Sequence, residues 1–208
     1  MQGLRHSVFL LALAVGLGSV PAGAQAVSIP AGSYQLLASR SQLGILLRKA
    51  GWLGAFADNH VVHTGVMRGS ATGEAGSWHG IVTAPTAELQ VVDPNRSTQQ
   101  RHEIWVTMEG PDQLDAEQFP EIVWRLNGLE LTAAAPGVLL HGTFSIHGVT
   151  RTVAWPTHVA VENGVVHVWG SAQLLLTDYG IQPIHRALGA IKVKNQFELR
   201  WDTYWQRS

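Results

Sequence analysis

From Val138 the chain alternates with a period of two, and this constrains its fold more than any other feature. Val138, Leu140, Gly142, Phe144 and Ile146 share one parity, and Leu139, His141, Thr143, Ser145 and His147 the other. Successive side chains of a strand point to opposite faces, so the pattern describes a ribbon with one apolar and one polar face. After a reversal at His147–Gly148–Val149, the residues Arg151, Val153, Trp155, Val159 and Val161 alternate with Thr150, Thr152, Ala154, His158 and Ala160. Pro156 has no N–H to give to a ladder and predicts an edge, a bend or a bulge. Asn163–Gly164 is the strongest short signal for a tight hairpin. The next strand puts Val166, Val168, Gly170, Ala172, Leu174 and Leu176 on one face. The last puts Ile191, Val193, Phe197, Leu199, Trp201 and Trp205 opposite Lys192, Lys194, Gln196, Glu198 and Arg200.

The first half alternates less cleanly. "YQLLAS", "SQLGILLRK", "HVVHTGVMRG" and "WHGIVTAPTAELQVV" are extended candidates. "STQQRHEIWVTMEGP" differs: Ser97 and Gln100 have capping-box spacing, Ile104 and Met108 stand four apart, and Gly110–Pro111 ends the segment, so it is predicted helical. "LDAEQFPEI" repeats the logic for one turn, ended by Pro120 before the strand "EIVWRLNGLEL". Many antiparallel strands with one helical excursion imply an all-β sandwich or closed barrel, and closure removes exposed edges. An eight-stranded barrel is either filled by its own side chains or holds one ligand, and periodicity does not choose between these.

Composition narrows the function. Of 208 residues 46% are hydrophobic and 14% charged, which is too apolar for disorder. The net charge of −1 points to no nucleic-acid or anionic-membrane partner. The absence of cysteine removes disulfides, thiol catalysis and thiolate metal sites. Arg5, the apolar run "VFLLALAVGLGSV" and the small residues of "PAGAQA" form a secretory leader, so residues 1–26 are expected to be a cleaved signal peptide and 27–208 one mature domain. The run is shorter than the roughly 20 residues a span needs, and nothing later in the mature chain is long and apolar enough. The expected location is therefore the periplasm of a bacterium.

The stretch "GTFSIHGVTRTVAWP", residues 142–156, resembles the signature hairpin of the YceI-like polyisoprenoid-binding family. "FPEIVW" and "LDAEQFP" before it, "SRSQLGILLRKAG" near the start and "TDYGI" at 177–181 are similar to further family segments, so the resemblance spans about residues 32–205. The region around "FADNHVVHTG" and the segment "PIHRALGAIKVKNQ" depart from the commoner members. The resemblance implies an antiparallel eight-stranded, lipocalin-like barrel. Its elongated apolar interior would take an isoprenoid, an isoprenoid quinone or another long-chain amphiphilic lipid. It also implies an exported binding protein without catalysis, and the chain is compatible with a homodimer.

The residues supply the apolar surface such a role needs. Leu43, Ile45, Leu47, Trp52, Phe56, Trp124, Phe144, Ile146, Val153 and Trp155 are the candidate lipid-contacting set, each also a natural core residue. Burying about ten methylene equivalents yields roughly 8 kcal/mol gross, against association costs of about 4–15 kcal/mol. A long tail or a preformed cavity is therefore required. Gly142, Gly170 and Ala172 either leave lumen unfilled or mark bends. His60 and His63 stand three apart, which on a helix would suit a metal and on a strand puts them on opposite faces. A metal-binding protein or metal-dependent enzyme using these two is one rival reading, and a filled barrel acting through its surface is another. His147 is expected to bond locally in its turn, Arg151 to contact a head group or pair with an acid, and His141, His158 and His167 to be solvated. Asp178 and Glu103 show no paired-carboxylate spacing, Ser145 and Ser171 lie outside any nucleophile elbow, and no cofactor motif is present.

Overall fold

The computed structural model describes residues 28–50, 60–74, 77–132, 137–186 and 191–208. Among the described residues, twelve strands and one α-helix follow in chain order. They are β1 (Gly32–Leu36), β2 (Gln42–Ala50), β3 (His60–Thr64), β4 (Arg68–Glu74), β5 (Ser77–Pro85), β6 (Gln90–Val91), α1 (Thr98–Glu109), β7 (Glu121–Leu131), β8 (Val138–Ile146), β9 (Val149–Glu162), β10 (Val165–Leu175), β11 (His185–Arg186) and β12 (Ile191–Arg207). Several are halves of longer ribbons. β1 and β2 lie end to end along β12, β3 and β4 are separated by a bend at 65–67, and β5 and β6 pair with β4 and β3 respectively. Counted this way, the ring runs β1/β2, β3/β4, β5/β6, β7, β8, β9, β10, β12, and β12 returns to β1 and β2. The fold is a closed antiparallel eight-stranded barrel with one helix.

The alternation predicted from Val138 is borne out. In β8 the residues Val138, Leu140, Gly142, Phe144 and Ile146 are buried and every residue between them is partly exposed. Phe144 is 2% exposed and Ile146 3%, each contributing about 1.5–3 kcal/mol by leaving water. Both predicted hairpins form by the same device. Asn163 and Gly164 have φ of 51° and 79°, and His147 and Gly148 have 52° and 71°, the left-handed pair that matches strand twist. Pro156 faces outward, pairs opposite Leu139, and stands where the β9–β10 ladder ends, since pairing to β10 covers only His158–Glu162. The expected bend is thus a place where two neighbouring strands part.

α1 is capped as predicted. The Ser97 hydroxyl accepts from the Gln100 N–H and the Gln100 side chain accepts from the Ser97 N–H, with Gly110 at the far end. "LDAEQFP" forms a turn before Pro120: the Asp115 carbonyl accepts from Phe119 N–H at 2.7 Å, and Asp115 takes φ +45°. β4, "RGSATGE", is largely missing from the expected strands because glycine, serine and threonine carry no apolar alternation. Gly142 and Gly170 do not open the lumen. A Cβ on Gly142 would collide with the Arg125 carbonyl beside the β7 bulge at Leu126/Gly128, and one on Gly170 would lie 2.6 Å from the Trp201 ring. They are positions of close approach, of the kind the bend reading described.

Candidate functional site

Among the described residues, two spaces lie one beyond the other along the strands, the first apolar and the second of mixed lining. The first, in the body of the barrel, has a volume of about 110 Å³. Its wall is built by the inward parity of consecutive strands: Leu43 from β2, Trp124 and Leu126 from β7, Leu140 and Phe144 from β8, Trp155 from β9, and Leu199 and Trp201 from β12. Three indoles fill much of it. Trp155 stacks between Trp124 at 6.3 Å and Trp201 at 5.1 Å, with Phe144 tilted against it at 5.4 Å. Offset aromatic contacts of this kind add about 0.5–1.5 kcal/mol each beyond the burial itself. The indole N–H groups of Trp124 and Trp201 are buried without a partner.

The second space has a volume of about 340 Å³ and lies under α1. The pairing of strands explains it. β6 bonds only to β3 and makes no ladder to β7, so the wall is incomplete there, and α1 covers the opening. The helix buries no residue. Gln100, Glu103, Ile104, Thr107 and Met108, the i, i+3, i+4, i+7, i+8 face, line the space, and Ile104 and Met108 also pack in part against the core. The floor is apolar: Ile45 and Leu47 from β2, Val62 from β3, Ile146 from β8 and Phe197 from β12. A polar roof over a greasy floor suits an amphiphile. Its volume falls within the range of roughly 300–1,000 Å³ typical of small-molecule sites, whereas the barrel space alone does not.

Leu43, Trp124, Phe144 and Trp155 therefore line the barrel space, and Ile45, Leu47 and Ile146 the chamber below α1. Val153 packs against the core and lines neither. Trp52 and Phe56 lie outside the described residues. Sequence reasoning missed the face of α1 and missed Asp93. His60 and His63 occupy opposite faces of β3, so the spacing does not gather them on one ion, and the described residues contain no group of three metal-ligating side chains. Instead His60 Nδ1 lies 2.7 Å from Asp93 Oδ2, and the other oxygen of Asp93 accepts the Val61 N–H at 2.6 Å. The signal was Asp93 itself, a carboxylate set directly after the apolar pair Val91–Val92.

The remaining polar residues hold the frame. His147 Nδ1 bonds the Tyr179 carbonyl at 3.0 Å, which ties the signature turn to a segment 32 residues away rather than only locally. Arg151 donates to the Asp178 carbonyl at 2.8 Å, so its partner is backbone. Burial and the neighbouring Asp178 push the Tyr179 phenol up to about 12, with Arg151 opposing. On the outer wall, His141 pairs with Glu130 at 3.0 Å and His167 with Asp202 at 2.7 Å, and His158 stacks on Trp169. These three are partnered where solvation was expected. The hydrogen bond from Arg200 holds the Glu198 carboxyl below the usual carboxylate range, helped by Gln173 and Arg48 and opposed by burial.

The comparisons with known proteins agree with this architecture. Residues 34–204 match the family described as the YceI-like domain. BcnA of Burkholderia cenocepacia superposes with a TM-score of 0.64 at 12% identity, covering 81% of this chain and 98% of that one. A polyisoprenoid binding domain from Saccharophagus degradans superposes with a TM-score of 0.61 at 12% identity, covering 84% and 98%. At such identities the likeness is one of fold. No curated protein matches the sequence. The match extends from the first barrel strand to the last and includes the hairpin at 142–156, and the chain belongs to the YceI-like family.

Proposed function

We propose that this is an exported, periplasmic binding protein that sequesters or carries an isoprenoid or isoprenoid quinone inside the barrel. The observation that carries the reading is the pair of spaces stacked along one barrel, the lower one large enough for a ligand and roofed by polar side chains. Its likeness in fold to a polyisoprenoid binding domain supports the same chemistry. The lipid contacts are proposed for Leu43, Ile45, Leu47, Trp124, Phe144, Ile146 and Trp155, with Trp52 and Phe56 assigned from sequence alone. Val153 acts behind the wall, through packing. The protein is a binder rather than an enzyme on this reading.

The experiment is direct. The mature protein is purified from its host, extracted with organic solvent, and analysed by mass spectrometry for lipids beside elemental analysis for metals. A stoichiometric prenyl lipid is the expected result. A stoichiometric transition metal without lipid would favour the metal-binding reading, and neither would favour a barrel acting through its surface. N-terminal sequencing of the same material is expected to begin at Val27, after cleavage of residues 1–26.

A further inference from the structure

We propose that the chamber beneath α1 selects ligands whose head group donates a hydrogen bond, an alcohol or phenol hydroxyl, by accepting that bond at Nε2 of His60. The inference deepens the reading above and rests on the barrel taking an amphiphilic lipid. His60 stands at the start of β3 on the inward face, two residues from Val62, and both line the chamber. Its ring is held by Asp93, whose side chain is 1% exposed. One oxygen of Asp93 already accepts the Val61 N–H, which can only donate. The other oxygen accepts a hydrogen bond from Nδ1–H, so in this tautomer the imidazole keeps its free lone pair on Nε2. That assignment comes from the hydrogen-bond network. The ring is 24% exposed, and among the described residues no hydrogen bond is made to Nε2.

The Arg96 side chain also lines the chamber but can only donate, and the other acceptors around it are in use or exposed. The Gln100 side chain caps the helix through its oxygen. Glu103 accepts from Gln99, and Thr107 donates to the Glu103 carbonyl. Gln113 donates to the carbonyls of Asp112 and Gln182. Glu103 is itself solvent-exposed, which leaves His60 as the ordered acceptor on the wall. A keto or ether oxygen offers it no proton. The chamber thus distinguishes a prenyl alcohol, a prenyl phenol or a quinol from the corresponding ether or quinone.

The test titrates the full mature protein with geranylgeraniol and with geranylgeranyl methyl ether. The two share one tail, and only the alcohol donates. The alcohol is expected to bind about five- to tenfold more tightly, the contribution of one hydrogen bond. Asp93→Asn keeps an oxygen for the Val61 N–H and turns an N–H toward Nδ1, so the imidazole tautomer inverts and Nε2 becomes a donor. This variant is expected to lose or reverse the preference, and His60→Phe to abolish it. Equal binding of alcohol and ether by the parent, or a preference that survives both substitutions, would overturn the inference while leaving lipid binding intact. Failure of both ligands to bind would overturn it together with the reading it rests on.

Discussion

The two ends of the interior are built from the same strands and differ in what closes them. In the body of the barrel, β1, β4, β5, β7, β8, β9, β10 and β12 follow one another in an unbroken hydrogen-bonded ring, and the space within is filled by three stacked indoles until about 110 Å³ remains. At the other end β6 lacks a ladder to β7, a helix with no buried residue stands in, and about 340 Å³ stays open. Strand pairing brings opposed side chains within about 5 Å and draws them into one core, whereas a helix laid across a gap spans it. The lesson is that room for a ligand is found where the ladder lapses, not where the barrel is most regular.

The largest expected contrast comes from truncating one side chain on each side of this divide. Trp155→Ala removes the central ring of the stack, 8% exposed, and is expected to cost about 3–5 kcal/mol in urea unfolding. Ile104→Ala, on the chamber face of α1, removes a side chain packed only in part and is expected to cost about 1 kcal/mol or less. Similar losses at both positions would mean that the helix is as much a part of the core as the ring.

Capping gives a smaller and local effect. Ser97→Ala breaks a complete capping box, with an expected loss of about 1 kcal/mol confined to α1. Amide exchange within residues 98–109 is expected to quicken while exchange in β8 and β12 is unchanged. Quickening in the barrel strands as well would show that helix and barrel unfold as one unit.

Two carboxylates sharpen the comparison further through their opposite response to pH. Glu198, on the barrel, has its folded value depressed, so it adds stability above its unfolded value that is lost as pH falls through the folded one. The stability gap between the parent and Glu198→Gln is expected at neutral pH and to close on acidification below about pH 4. Glu109, at the end of α1, is pushed up by burial and by the neighbouring Glu88, and one of its oxygens has no partner. Ionisation in the folded state is then unfavourable, and stability falls as pH rises past the unfolded value. Glu109→Gln is expected to raise Tm near neutrality by about a degree or two, with the gain vanishing in acid. A gain that persists in acid, or a loss near neutrality, would remove the electrostatic explanation.

Much of the barrel was legible because its C-terminal half repeats one rule. Leu140, Phe144, Trp155, Leu199 and Trp201 face inward as period two requires, and the hairpins at 147–148 and 163–164 announce themselves by glycine after a residue tolerant of left-handed backbone. The helix was legible from its cap. β4 was not, because a strand of Gly, Ser and Thr looks like loop until the register opposite β1 and β5 is seen. The chamber was legible only in part. Its floor follows from alternation, as Ile45, Leu47 and Ile146 show. Its polar face depends on His60 meeting Asp93 33 residues away and on where α1 comes to rest, which are tertiary facts. The outer histidines make the same point, since His167 and Asp202 are 35 residues apart and their pairing carries no local sign.

Five of the eight tryptophans, Trp78, Trp124, Trp155, Trp201 and Trp205, line the barrel space, so their fluorescence reports what enters it. Titration of the mature protein with a prenyl chain bearing bromine at its tail, with Trp155→Phe and a lumen-filling Ala84→Phe variant alongside, tests whether the barrel accepts a lipid. Ala84 is 2% exposed and lines the same space. Saturable quenching at one chain per protein, weakened by Ala84→Phe and retained by Trp155→Phe, is the expected result. Quenching that never saturates, or that is equally strong once the space is filled, would contradict a lipid-holding interior.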